Sequence, residues 1–211
     1  MKQFTNISTL IFDLGGVIIN LDLPQCIQNF RLLGLQNFEE HLSLFGQKSF
    51  FLQFEIGQIN VQQFRDEIRK LASKPLSDEQ IDAAWCSFLC NIPDYKLEML
   101  LELKKKFKIL LLSNTNKLHI EVSTANELAR VGKTFFDFFD KCYYSYELGI
   151  AKPNPKIFET VLSDAGLNAE ECLFLDDGEK NIIQAAKMGI QTYLVKENED
   201  LSFLLNAETW K

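Results

Sequence analysis

Beyond residue 94, short unbroken apolar runs alternate with amphipathic stretches of helical period, and this alternation restricts the fold more than any other feature of the chain. It reads as helix 94–106, strand Ile109–Leu112, helix 117–130, strand Cys142–Tyr144, helix 154–165, strand Cys172–Leu175, helix 179–188 and strand Thr192–Val195. Unbroken apolar runs are strands buried on both faces, and strands separated by helices pair in parallel. An earlier run, Ser8–Leu14 (STLIFDL), adds a strand at the N-terminus and leads into Gly15-Gly16, the pattern of a strand leaving its sheet. The expected class is α/β with a doubly wound parallel sheet.

Between the first strand and the alternating region the pattern is helical only. Apolar positions recur at Ile27, Phe30 and Leu33, at Phe38, Leu42 and Phe45, at Val61, Phe64, Ile68 and Leu71 behind Asn60, and at Ile81, Trp85, Phe88 and Leu89 behind Ser77. The Ile92-Pro93-Asp94 segment ends this stretch. The expected organisation is a core of residues 1–20 and 92–211 with an all-helical insertion of residues 21–91.

Composition then removes whole classes of partner. With 211 residues, 46% hydrophobic and 24% charged, the chain is long enough for a buried core and a modest second unit. A net charge of −7 disfavours a broad nucleic-acid or anionic-membrane surface, so an anionic ligand needs a local cationic site. Asp13 splits the N-terminal apolar run, which leaves no stretch long enough to cross a bilayer and no signal-peptide core. A cytoplasmic location is expected. Cys26, Cys86, Cys90, Cys142 and Cys172 are odd in number and form no C-x-x-C pair, which fits buried thiols rather than a zinc site or disulfide framework.

In open α/β sheets, ligands bind beyond the carboxyl ends of the strands. Those ends carry Asp13, Ser113-Asn114 and Asp176-Asp177, and Lys152 lies just ahead of a helix. These residue types suit phosphoryl transfer. A carboxylate such as Asp13 can attack phosphorus, but both are negative, so a divalent cation must lie between them. Asp176, Asp177 and the Gly15 carbonyl could hold Mg²⁺ together with Asp13. Ser113 and the Asn114 amide could meet phosphate oxygens at a helix N-terminus, and Lys152 supplies positive charge.

Taken in order, Asp13 in DLGGV, Ser113 in LLLSNTN, Lys152 in GIAKPNPKIF and Asp176-Asp177 with Asn181 in DDGEKN resemble the four motifs of the haloacid dehalogenase-like hydrolase superfamily. The resemblance covers essentially the whole chain. It implies a Rossmann-like three-layer core, a helical cap inserted after the first strand, Mg²⁺ dependence and phosphatase activity on a small phosphorylated metabolite. The SNTNKLH, FEIGQIN and DLGG segments look most similar to the branch that includes the bacterial α-D-glucose-1-phosphate phosphatase. Asn181, one helical turn after Asp177, is expected to orient the acidic loop.

One position departs from the pattern. Phosphatases of the superfamily usually carry a second Asp two residues after the nucleophile, where it protonates the leaving oxygen; here Gly15 stands there. Such acid help is typically worth about 10²–10⁴-fold, so sugar 1-phosphates, whose hemiacetal oxygen leaves more easily, are expected to be favoured. Glu55 or His41 could supply the proton instead. A 2-haloacid dehalogenase and a weakly active phosphometabolite-binding protein are the alternatives. The acidic pair speaks against the first, because it would repel a haloacid's carboxylate.

Other features have plainer readings. Lys104-Lys105-Lys106 closes a helix, where cations complement the dipole. His119 could reach the site or pack a helix, and Phe50, Phe51 and Phe54 fit a core better than a ligand pocket. Gly132-Lys133-Thr134 lacks the first glycine of a P-loop.

Overall fold

The computed structural model describes residues 3–36, 38–39, 49–196 and 199–211. Five strands, β1 (Thr9–Phe12), β2 (Lys108–Ser113), β3 (Lys141–Tyr144), β4 (Cys172–Asp176) and β5 (Gln191–Leu194), form one sheet in the order β3-β2-β1-β4-β5. Every neighbouring pair is parallel. Their apolar runs serve both faces. Leu10, Phe12, Ile109, Leu111, Leu173 and Leu175 pack on one side, whereas Ile11, Leu110, Leu112 and Phe174 pack on the other. The doubly wound three-layer arrangement read from the sequence is therefore the fold.

Four helices occupy the described part of residues 21–91: α1 (Leu23–Leu32), α2 (Phe50–Glu55), α3 (Val61–Leu71) and α4 (Asp78–Cys86). Asp22, Ser49, Asn60 and Ser77 cap them, the last two in reciprocal capping boxes with Gln63 and Gln80. These helices enclose a core of their own around Phe30, Phe38, Phe51, Phe54, Phe64 and Trp85. Burial of each such ring stabilises by roughly 1.5–3 kcal/mol, and Leu118, from the segment after β2, joins the same cluster. Leu42, Phe45 and His41 lie outside the described residues.

Helix α5 (Asp94–Lys104) opens the return to the sheet and buries Leu97, Leu100 and Leu103 against the first face. The expected helix at 117–130 is present over residues 117–129, wound as a π-helix at His119–Thr124 and continuing as α6 (Ala125–Ala129). Two further short helices, α7 (Phe135–Phe138) and α8 (Ser145–Leu148), flank β3. Helix α9 (Pro155–Ala165), with Asn154 as its cap and Pro155 in its first turn, covers the second face together with α10 (Glu179–Lys187). Strand β1 is shorter than expected because Asp13 makes one last bond, N–H to the Leu175 carbonyl at 2.9 Å, before the chain turns at Gly16 with φ of 71°.

Lys104, the last residue of α5, donates to the Phe136 and Asp137 carbonyls of α7. No helix among the described residues is long and apolar enough to cross a membrane.

Candidate active site

The sheet changes winding direction at β1, with β2 on one side and β4 on the other. The crevice beyond the carboxyl ends of β1 and β4 is the usual ligand position of such a sheet. Asp13 follows β1 there, Asp176 ends β4, Asp177 follows it, and Ser113 ends β2. Three separated stretches of sequence thus converge on one end of the sheet.

Lys152 ties them together. Its ammonium lies 2.9 Å from Asp13 Oδ1 and 2.6 Å from Asp176 Oδ2, and donates to the Leu112 carbonyl at 2.8 Å. The Lys152 side chain is 0% exposed. Burial disfavours its charge, but Asp13 and Asp176 outweigh that cost and hold the ammonium above its ordinary range. Burial drives the Asp13 carboxyl well above the usual carboxylate range, and Asp176 and Asp177 add to the rise against the pull of Lys152. Asp13 Oδ1 also accepts from the Leu14 N–H at 2.7 Å. Both of these bonds fall on Oδ1, and the Asp13 side chain keeps 12% of its surface exposed, so Oδ2 is the oxygen offered to a ligand.

The two acids after β4 are placed differently. Asp176 is wholly buried, and its Oδ1 accepts from the Gly178 N–H at 2.7 Å and from Asn181 Nδ2 at 2.9 Å. Asp177 faces outward, and burial first, then Asp176, raises its carboxyl. Oxygens of Asp13, Asp176 and Asp177 all lie within 4.8 Å of one another. Three carboxylates against one lysine leave an excess of negative charge in a hard oxygen donor set, which fits a divalent cation. Gly16 leaves room for that arrangement, since a Cβ there would overlap Asp177 Oδ2.

The remaining sequence candidates fall into two groups. Ser113 is buried with its hydroxyl 3.5 Å from the Asn114 carbonyl, at the limit of a hydrogen bond. Asn114, expected to turn its amide to phosphate, instead clamps Lys152: Oδ1 accepts its N–H at 2.8 Å and Nδ2 donates to its carbonyl at 2.9 Å. The amide is drawn away because the Lys152 backbone, two residues short of the α9 cap, offers a donor and an acceptor to one planar group.

His119 is a packing residue. Its Nδ1 lies 3.1 Å from Asn116 Nδ2 and its Nε2 3.2 Å from the Trp85 carbonyl, and its ring stacks on Trp85 at 4.9 Å. Burial pushes its pKa down to about 4, so the ring is neutral and joins α4 to the loop after β2. Phe51 and Phe54 belong to the helical core, and Phe54 also borders a cavity of 490 Å³ with Arg65, Lys117 and Tyr146. Sequence reasoning missed Ser145, whose hydroxyl accepts the Thr115 N–H at 2.9 Å and lies 2.6 Å from the Glu55 carbonyl. Its only signal is its place directly after β3, at the same end of the sheet.

Comparison with known proteins agrees with this geometry. The model of the haloacid dehalogenase-like hydrolases matches residues 7–189. D-ribitol-5-phosphate phosphatase from Bacteroides thetaiotaomicron is 33% identical over 95% of this chain and 100% of its own. A haloacid dehalogenase-family enzyme of that organism, solved with magnesium and inorganic phosphate, is 48% identical with a TM-score of 0.90, covering 95% of this chain and 100% of its own. L-2-haloacid dehalogenase from Xanthobacter autotrophicus, 20% identical over 88% of this chain and 76% of its own with a TM-score of 0.59, shares the fold alone. The chain belongs to the haloacid dehalogenase-like hydrolases.

Proposed function

We propose that this chain is a Mg²⁺-dependent phosphatase that moves the phosphoryl group of a small phosphorylated metabolite to Asp13 and then to water. The observation that carries the reading is the 2.9 Å pairing of Asp13 with the buried Lys152 ammonium inside a cluster of three carboxylates. Asp13, Asp177 and the Gly15 carbonyl would hold Mg²⁺, with Asp176 behind them. When bound, the ion supplies positive charge between the attacking carboxylate and the phosphoryl oxygens.

The chain's own groups do the rest. Lys152 and the Leu14 N–H hold Asp13 Oδ1, which turns Oδ2 toward phosphorus. The Ser113 hydroxyl meets a phosphoryl oxygen, and Lys152 neutralises charge beside it. Asn181 and Gly178 hold Asp176, and Asn114 holds the backbone of Lys152, so the cation cannot drift. Residues 21–91 serve as a cap over a core of residues 1–20 and 92–211, and exclude bulk water when closed. A dehalogenase is disfavoured, because the carboxylate cluster repels a haloacid's carboxylate.

The substrate class we propose is a phosphorylated sugar or sugar alcohol. The missing second Asp at Gly15 favours 1-phosphates, whose leaving oxygen needs little protonation. The likeness to D-ribitol-5-phosphate phosphatase favours a second reading, a phosphate on a primary alcohol, which leaves poorly without a proton. Phosphate release from glucose 1-phosphate, glucose 6-phosphate and ribitol 5-phosphate, with and without Mg²⁺, separates the two. Metal-dependent release supports the phosphatase and its order ranks the leaving groups. Phosphate binding without turnover on any of them would contradict it in favour of a binding protein.

A further inference from the structure

The proposed reaction leaves one proton unassigned. The ester oxygen of an alkyl phosphate must gain a proton as its bond to phosphorus breaks, and Gly15 has no side chain to provide it. Helix α2 brings a candidate to the site. Phe51 and Phe54 turn into the helical core at 1% and 2% exposure, so Leu52, Glu55 and Ile56, spaced i, i+3 and i+4, share another stripe. Leu52 and Ile56 border a cavity of 580 Å³ together with Gly149, Ile150, Lys152 and Pro153. Glu55 follows Leu52 by one turn and adjoins Ile56 at the edge of that stripe, and its carboxyl is near enough to Lys152 to feel the pull of the ammonium.

The carrier of this carboxyl is fixed to the sheet. The Ser145 hydroxyl lies 2.6 Å from the Glu55 carbonyl and 3.0 Å from the Thr115 carbonyl, and so ties the end of α2 to the loop that follows Ser113. Two residues on, Gly57 has φ of 67° and packs so closely on the Tyr146 carbonyl that a Cβ would overlap it. Both contacts hold the Glu55 backbone at the end of the sheet where Asp13 and Lys152 sit.

We infer that Glu55 protonates the leaving oxygen and then, as a carboxylate, takes a proton from the water that cleaves the aspartyl-phosphate. In the first step the Asp13 Oδ2–phosphorus bond forms, the ester oxygen–phosphorus bond breaks, and the Glu55 proton passes to that oxygen, which leaves as an alcohol. In the second, water attacks phosphorus and gives a proton to Glu55, while the Asp13–phosphorus electron pair returns to the Asp13 carboxylate. Protons and charge balance over the cycle. Burial pushes the Glu55 carboxyl up to about 7 against the pull of Lys152, so the acid form is present near neutrality. The inference rests on the phosphatase reading, and it removes the restriction to 1-phosphates.

The test compares wild type and Glu55→Gln, with Mg²⁺, on p-nitrophenyl phosphate and on the alkyl phosphate that the wild type cleaves fastest. It reads kcat/KM, which reports steps only through phosphoryl transfer. The nitrophenolate leaves without a proton, so the expected loss is about 10²–10⁴-fold on the alkyl ester and under about tenfold on the aryl ester. Equal losses on both esters, or no loss on the alkyl ester, overturn the role of Glu55 and leave Asp13 untouched. A wild type that releases phosphate from neither ester overturns the phosphatase reading and this inference together.

Discussion

Lys152 holds its ammonium between Asp13 and Asp176 with no side-chain surface exposed, so its removal strands two buried carboxylates. Breaking a buried ion pair on one side costs about 3–5 kcal/mol, far more than loss of a surface pair. Lys152→Met is therefore expected to lower the urea midpoint at pH 7 as well as activity, and an unchanged midpoint would contradict the buried pairing. Gly16 poses a subtler problem. Its φ of 71° and the overlap of a Cβ with Asp177 Oδ2 mean that Gly16→Ala must push Asp177 aside. Mg²⁺ affinity measured by calorimetry should fall about 10–100-fold, as for other residues that orient a ligand. Affinity within error of wild type would free Asp177 from that role.

Elements differ in how far their sequence announces them. Strands β1 and β4 were the most legible, because each is an apolar run buried on both faces that stops at a polar residue, β1 before Asp13 and β4 at Asp176, whereas β5 is only partly buried. The π-helical turn at His119–Thr124 was not, because it goes with a long-range contact: His119 Nε2 meets the Trp85 carbonyl, 34 residues away in a different layer. The same holds for Asn114, whose amide partner lies 38 residues away, and for Glu55, whose direction depends on how α2 docks on Ser145.

The His119 contact carries a pH signature. Unfolded, the ring takes a proton near 6.5; folded, only near 4. Below 6.5 the unfolded state binds more protons, so stability falls as pH drops from about 6.5 to about 4 and is retained above. The difference in urea midpoint between wild type and His119→Gln should shrink across that window. A constant difference would contradict a neutral, buried ring.

At the scale of the whole molecule, the order β3-β2-β1-β4-β5 decides where chemistry sits, because it sets β1 and β4 side by side and opens the crevice at their ends. In an acidic chain of net charge −7, the cation that meets the carboxylates at this crevice is the buried Lys152. The helical layer closes over the same end through the Ser145–Glu55 and Trp85–His119 contacts. The proposed reaction passes through a phosphoryl group on Asp13. Rapid mixing of enzyme, Mg²⁺ and the preferred sugar phosphate, followed by acid quench and peptide mass spectrometry, reads it directly. A phosphoryl adduct is expected on the Asp13 peptide of the wild type and none on Asp13→Asn, which should also release no phosphate. Phosphate release by Asp13→Asn at the wild-type rate would contradict it.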